Sequence, residues 1–184
     1  MKRVLHFVLR AVLAGTLLCL VPGCHNNQPK EVFLADFESD AGLDKLQWSC
    51  RTLYSVSNEH ATRGTKSLRM DLYPSDYPGL SFAPEVKDWR RYRALSFDVF
   101  VPADDVESIN VRIDDASRRT HARDQYNEQF GVRQGANTIV IPLSALVSSN
   151  DGSPLDLSRI SRVIIFLISP KMKTTLYIDA VRLE

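Results

Sequence analysis

Apolar and polar residues alternate along most of the chain, most clearly in the stretch DWRRYRALSFDVFVP from Asp88 to Pro102. Leu95, Phe97 and Val99 fall on one face and Ser96 and Asp98 on the other. That is the period of a strand with one side packed on a core. Pro102 ends it, and after the turn Pro102-Ala-Asp-Asp105 the alternation resumes as Ile109, Val111 and Ile113. The pattern predicts two adjacent antiparallel strands. The polar face of the second carries Asn110, Arg112 and Asp114, a row of hydrogen-bonding side chains opposite an apolar one.

The same reading extends over the rest of the chain. Glu31–Glu38 predicts a first strand, with Val32, Leu34 and, after a kink, Phe37 directed inward. Thr52–Ser57 predicts a second, and the polar turn around Gly64 leads into the alternating Leu68, Met70 and Leu72. Short strands are expected at Leu80–Phe82, Tyr126–Val132, Thr138–Ile141 and Thr174–Leu183. Pro142–Leu146 and Asp156–Ile160 each suit one helical turn. Ile160–Ile168 is apolar on both faces, which predicts a strand buried between two layers. Nine or ten short strands with turn signals between them, and no long amphipathic helix, predict an all-β fold, a β-sandwich of two antiparallel sheets.

The N-terminus changes the picture of where this domain works. Lys2, Arg3 and Arg10 precede an apolar run from Ala11 to Val21, short for a membrane span and suited to an export signal. The run ends Leu-Val-Pro-Gly-Cys24, which resembles the lipobox of bacterial lipoproteins. The resemblance implies a signal peptide over 1–24 and acylation of Cys24. It also implies a short tether over 25–30 and a lipid-anchored protein, at the outer membrane in a cell that has one because His25 rather than Asp follows the cysteine. The residues alone leave open an ordinary cleaved signal or an uncleaved anchor.

Over the whole chain 23 Lys and Arg face 22 Asp and Glu, and without Lys2, Arg3 and Arg10 the balance is 20 against 22, or −2. Nothing in that balance calls for nucleic acid. The remainder, 31–184, is long enough for a single domain that buries about 70% of its unfolded surface. With Cys19 in the signal and Cys24 given to lipid, Cys50 has no disulfide partner and is expected to be a buried small hydrophobe.

Several segments together carry a second resemblance. The first strand ends in Phe37-Glu38, Arg63-Gly-Thr-Lys-Ser-Leu68 forms a turn, and Trp89–Val99 is a strand. Gly135-Ala-Asn-Thr precedes Ile141-Pro-Leu143, and the last strand contains Leu176-Tyr-Ile-Asp179. In this order they resemble jelly-roll carbohydrate-binding modules of the galactose-binding-like superfamily. Val111-Arg-Ile-Asp-Asp115 followed by Tyr126 is similar to the branch that includes the complex I intermediate-associated protein 30 domain. The resemblance implies a structural calcium held by Glu38, by backbone carbonyls near Thr65 and Lys66, and by Asp179. A hard cation of that kind takes several oxygen ligands. The competing reading pairs Glu38 with a nearby cation and lets Asp179 cap a loop.

Sugar recognition needs flat aromatic faces and planar hydrogen-bonding groups. Arg112, Asp114 and Asp98 on one polar face, with Tyr126, Asn127 and Gln129 beside them, are the expected glycan-binding set; a solvated face with an Arg112–Asp114 salt bridge competes with it. Trp89 reads as core or rim, while Trp48, Tyr54, Tyr73 and Tyr77 lie in or near loops where a stacking platform would be built. Catalysis finds little support. A glycosidase needs two facing carboxyl groups, whereas adjacent Asp114 and Asp115 point to opposite faces of a strand. His60 and His121 stand apart from any framed nucleophile. The sequence therefore predicts noncatalytic polysaccharide binding by a membrane-anchored lipoprotein. A protein-interaction or assembly role on the same fold is the alternative.

Overall fold

In a computed structural model the described residues are 30–47, 50–116 and 124–184. The signal segment with Cys24, and also Trp48 and His121, lie outside them. Ten strands account for most of the structure: β1 (Val32–Ala35), β2 (Thr52–Ser57), β3 (Ser67–Leu72), β4 (Gly79–Phe82), β5 (Ala94–Val101), β6 (Ser108–Asp115), β7 (Tyr126–Gly131), β8 (Gly135–Pro142), β9 (Ile160–Phe166) and β10 (Thr174–Leu183). They form two antiparallel sheets packed as a jelly-roll sandwich. One runs β2-β3-β10-β5-β8 with β1 also on β10, and the other runs β4-β9-β6-β7.

The C-terminal strand organises the larger sheet. Residues 174–178 of β10 pair with β3 and residues 181–183 with β1, while β5 lies along its other edge. The change of partner falls at a register shift between Asp179 and Arg182, where Ala180 takes a φ of 50°. A bulge of this kind bends a strand and re-aims its side chains. The expected kink after β1 is real as well: Phe37 has a φ of 54° and is buried in the core.

The core fills the space between the sheets with Leu95, Phe97, Val99 and Val101 of β5, Ile109, Val111 and Ile113 of β6, and Leu176 and Ile178 of β10. Each such side chain contributes about 1.5–3 kcal/mol relative to exposure. Trp89 is fully buried among them, so it belongs to the core.

Four expectations are corrected. β5 and β6 are not hairpin neighbours: β5 pairs with β10 and β8, whereas β6 pairs with β7 and β9 in the other sheet. Alternation fixes which face of a strand is apolar, and both strands turn that face to the same core from opposite sides. Ile160–Ile168 is not sandwiched between layers. Val163 and Ile165 enter the core, while Ile164 and Phe166 sit on the outer face and Ile168 is exposed. Asp156–Ile160 is a simple turn, closed by the Arg159 amide donating to the Asp156 carbonyl. Cys50 is exposed in the turn before β2.

Candidate functional site

The outer face of the smaller sheet carries a groove of about 520 Å³. Register explains its composition. Asn110 and Arg112 of β6 stand opposite Gln129 and Asn127 of β7 on one side, and opposite Phe166 and Ile164 of β9 on the other. One side of the groove is thus polar and planar, and the other apolar. Tyr77, from the loop before β4, sets its ring edge-on to Phe166 at 5.9 Å between centroids and is 49% exposed. The groove runs on past Asn110, Gln129 and Ile168 into a second hollow of about 430 Å³.

The polar side is held in place from beneath. Asp114 is buried and accepts from two arginines: Arg112 donates from Nε to Oδ1 at 2.6 Å and from Nη2 to Oδ2, and Arg162 donates from Nε to Oδ2 at 2.7 Å. Charge-assisted fork contacts of this type fix a guanidinium plane. Arg112 therefore reaches the groove pre-oriented. Gln129 donates to the Ser108 hydroxyl, and the edge strand β7 is pinned where the Asn127 amide donates to Ser149 Oγ at 3.0 Å.

Of the six expected glycan-binding residues, the structure brings Arg112, Asn127 and Gln129 to the groove and places Asp114 beneath them, its oxygens taken up by arginine. Tyr126 turns inward with Ile113, its register partner, and joins the core; its hydroxyl donates to Glu128. Burial first, and the Glu128 carboxylate next, push that phenol well above the usual tyrosine range, so it stays a neutral donor. Asp98 is on the other sheet, where it accepts from Thr138 Oγ1 at 2.7 Å and Thr62 Oγ1 at 2.8 Å. Alternation groups it with Arg112 only if β5 and β6 are neighbours, and they lie in different sheets. The groove residues that sequence reasoning misses are Glu128, Ser149, Ile164, Phe166 and Ile168. The signal for Ile164 and Phe166 is the apolar outer face of β9.

Among the described loop aromatics, Tyr77 alone is in the groove. Tyr54 is half-buried and donates to the Gly79 carbonyl at 2.5 Å, and Tyr73 lies under the Lys173 ammonium. Among the described residues the carboxylates at the groove are Glu128, which accepts the Tyr126 hydroxyl, and Asp114 beside it on β6, held between two guanidiniums; glycoside hydrolysis requires two carboxyl groups facing each other across the scissile bond. His60 is stacked on Phe100 on the opposite sheet.

Of the residues implied to hold calcium, Glu38 meets Thr65 and Lys66, and Asp179 meets the same loop at Thr62 and Arg63. Glu38 accepts the amides of Thr65 at 3.1 Å and Lys66 at 3.1 Å, along with the Thr65 hydroxyl. Asp179 accepts the amides of Thr62 at 2.7 Å, Arg63 at 2.9 Å and Ala180 at 2.6 Å. Thr65 and Lys66 thus present N–H groups where a cation needs carbonyls, and a loop wrapped around carboxylates by its amides is an anion nest. Gly64 closes it with a φ of 65°, and an added Cβ there would lie 2.3 Å from Glu38 Oε1. As placed, this donor set does not fit a calcium ion between the two carboxylates.

The Lys66 amide above all, then Thr65, hold Glu38 below its ordinary value of 4.5. A carboxylate depressed in the folded state contributes stability above its unfolded pKa and loses it as pH falls through the folded value. Glu38→Gln is therefore expected to lower the melting temperature at pH 7, and its difference from the wild type should shrink as pH falls through the folded-state value. Excess calcium or a chelator should shift neither protein, and a rise in wild-type melting temperature with calcium would contradict the nest.

No family model matches the sequence, and no curated protein matches it. Solved structures do, and they define a class first: this is the β-sandwich fold that carbohydrate-binding modules have. The family 11 carbohydrate-binding module from Clostridium thermocellum, in complex with a β-1,3-1,4-mixed-linked tetrasaccharide, aligns at a TM-score of 0.65 and 15% identity. The alignment covers 83% of this chain and 94% of that one. An exo-β-agarase aligns at 0.64 and 18% identity, over 83% of this chain but 25% of the enzyme. The chain thus matches whole modules and about a quarter of that enzyme.

Proposed function

We propose that this domain binds a polysaccharide chain without catalysis, in the groove on the outer face of β4-β9-β6-β7. The observation that carries the reading is the division of the groove into an apolar side, with Tyr77 exposed at its rim, and a polar side of fixed planar donors. A pyranose presents the same division, with axial C–H faces that pack on apolar surface and equatorial hydroxyls that hydrogen-bond. Arg112, Asn127, Gln129 and Asn110 are positioned to meet hydroxyls, and Tyr77 with Phe166 to receive the ring. A module that aligns over almost its whole length was solved with an oligosaccharide, which supports the same reading. The lipobox-like sequence at Cys24 supports placing the groove at a membrane surface, as an exported, lipid-anchored protein.

The test is affinity electrophoresis of the chain from Pro29 onward against plant, algal and bacterial polysaccharides. Retardation by one polymer class is expected. Arg112→Ala should weaken it about 10- to 100-fold, the loss of a charged hydrogen-bond donor, and Tyr77→Ala about tenfold. Unchanged binding in both variants would remove this groove from the site. No retardation of the folded wild type by any polymer would end the glycan reading and favour a protein partner on this face, the role that the intermediate-associated resemblance implies.

A further inference from the structure

The charged residues that line the groove are Arg112 and Glu128, and one outward position beyond Arg112 and Ile164, next to the lining, β6 and β9 carry the register pair Asp114 and Arg162. Asp114 is one carboxylate shared by two guanidiniums. Both its oxygens are engaged, and it can neutralise only one of them. Arg112 is 21% and Arg162 40% exposed, while Asp114 is 6% exposed. The excess positive charge is therefore on the accessible side of the triad. Arg162 stands one outward position along β9 from Ile164, on the same face. Each arginine turns Nε and Nη2 to Asp114, which leaves Nη1 of both without a hydrogen-bond partner among the described residues.

The other carboxylates nearby do not cancel this charge. Asp115, next along β6, alternates to the opposite face and accepts the Asp156 amide at 2.7 Å. Glu128 lines the groove from β7, where it pairs with Val111 and so stands toward the middle rather than at the Arg162 end, and it accepts the Tyr126 hydroxyl. Asp105 and Glu107 are in the second hollow at the far end, together with Lys171. The groove is thus polar along its axis, cationic at the Arg162 end and acidic at the other.

We propose, resting on the glycan reading above, that the ligand is an anionic polysaccharide, with a uronate carboxylate or a sulfate ester seated at the Arg112–Arg162 end. A neutral sugar would be served by one arginine oriented by one aspartate. A second guanidinium at the same carboxylate adds a charge that hydroxyls do not need and that an anion does. Partly buried guanidiniums already locked in plane meet such an oxyanion with little further ordering. Arg162 is the residue that confers the preference, and Arg112 serves both the hydroxyls and the anion.

The test uses matched polymers: polygalacturonate against its methyl ester, carrageenan against agarose, and carboxymethyl-cellulose against hydroxyethyl-cellulose. Each is run with wild type, Arg162→Gln and Arg90→Gln, the last a surface arginine paired with Asp88 outside the groove. The expected result is an anionic member bound about tenfold or more tightly than its neutral partner. That preference should vanish in Arg162→Gln and persist in Arg90→Gln. It should also weaken as ionic strength rises from about 0.01 to about 0.15 M, which shortens the screening length from about 30 to about 8 Å. A neutral member bound as tightly as its charged partner would overturn this inference and leave glycan binding intact, and so would an equal loss in Arg90→Gln. Failure of every polymer to bind the folded protein would overturn both readings.

Discussion

Asp114→Ala is expected to cost about 3 kcal/mol of stability and to weaken glycan binding, by no more than Arg112→Ala does, although Asp114 touches no ligand. Removing one member of a buried ionic cluster costs about 3–5 kcal/mol because the charge left behind has lost its compensation. Arg162 is 40% exposed and recovers part of its hydration, which places the loss at the lower end. Two effects then act on the groove. Arg112 and Arg162, no longer bridged, repel one another, and Arg112 loses the fork that fixes its plane. Urea unfolding reads the first effect as a lower midpoint with an unchanged slope, and affinity electrophoresis of the still-folded fraction reads the second. Asp114→Asn separates them. It keeps an acceptor of the same shape but no charge, so stability should fall less than in Asp114→Ala while the guanidiniums still spread. A stable Asp114→Ala protein with wild-type affinity would show that the triad neither holds the sheet nor shapes the site.

How far the sequence predicts this arrangement depends on what a residue pattern encodes. Period-two alternation gave β2, β3, β6 and β10 nearly to the residue, because an apolar face is a local property. It could not say which strand is a neighbour. Leu95-x-Phe97-x-Val99 and Ile109-x-Val111-x-Ile113 look the same whether the chain turns back within a sheet or crosses the sandwich, and it crosses. That one ambiguity moved Asp98 to the wrong face. It did not move Arg112, Asn127 and Gln129, whose pairing across β6 and β7 is a true antiparallel ladder. Tyr126 was misplaced for a different reason: an aromatic near a charged loop suggests a platform, but its register partner Ile113 draws it into the core. The apolar side of the groove was visible as the apolar outer face of β9. It was assigned to burial because hydrophobicity alone does not distinguish a covered face from a binding floor.

The calcium reading shows the same limit at shorter range. The resemblance implies that Glu38, Thr65, Lys66 and Asp179 surround a cation; in the structure Glu38 accepts from Thr65 and Lys66, and Asp179 from Thr62 and Arg63. Whether a loop turns its carbonyls or its amides toward a carboxylate depends on φ and ψ at a few residues. Here Gly64, at a φ of 65°, lies between Arg63, whose amide meets Asp179, and Thr65, whose amide meets Glu38.

Trp89→Ala should have a comparably large effect on folding and almost none on recognition. Trp89 is fully buried, its indole N–H donates to the Val86 carbonyl at 2.8 Å, and its own amide donates to the Leu157 carbonyl at 2.7 Å. The side chain therefore fills the core while the backbone ties the approach to β5 to the turn before β9. Truncation of a buried aromatic to Ala costs about 3–5 kcal/mol, partly as lost transfer energy and partly as the cavity left behind. Trp89→Phe keeps most of the volume but orphans the Val86 carbonyl, so about 1–3 kcal/mol is expected. Because the groove is on the outer face of β6 and β9 and the indole lies within the core, folded Trp89→Ala protein should retain wild-type affinity for its polymer. Stability and binding would then separate cleanly: Trp89→Ala lowers the first alone, Tyr77→Ala the second alone, and Asp114→Ala both. A loss of affinity in folded Trp89→Ala would mean that core packing transmits to the groove through β9, whose inward Val163 and Ile165 alternate with the outward Ile164 and Phe166 on the same strand.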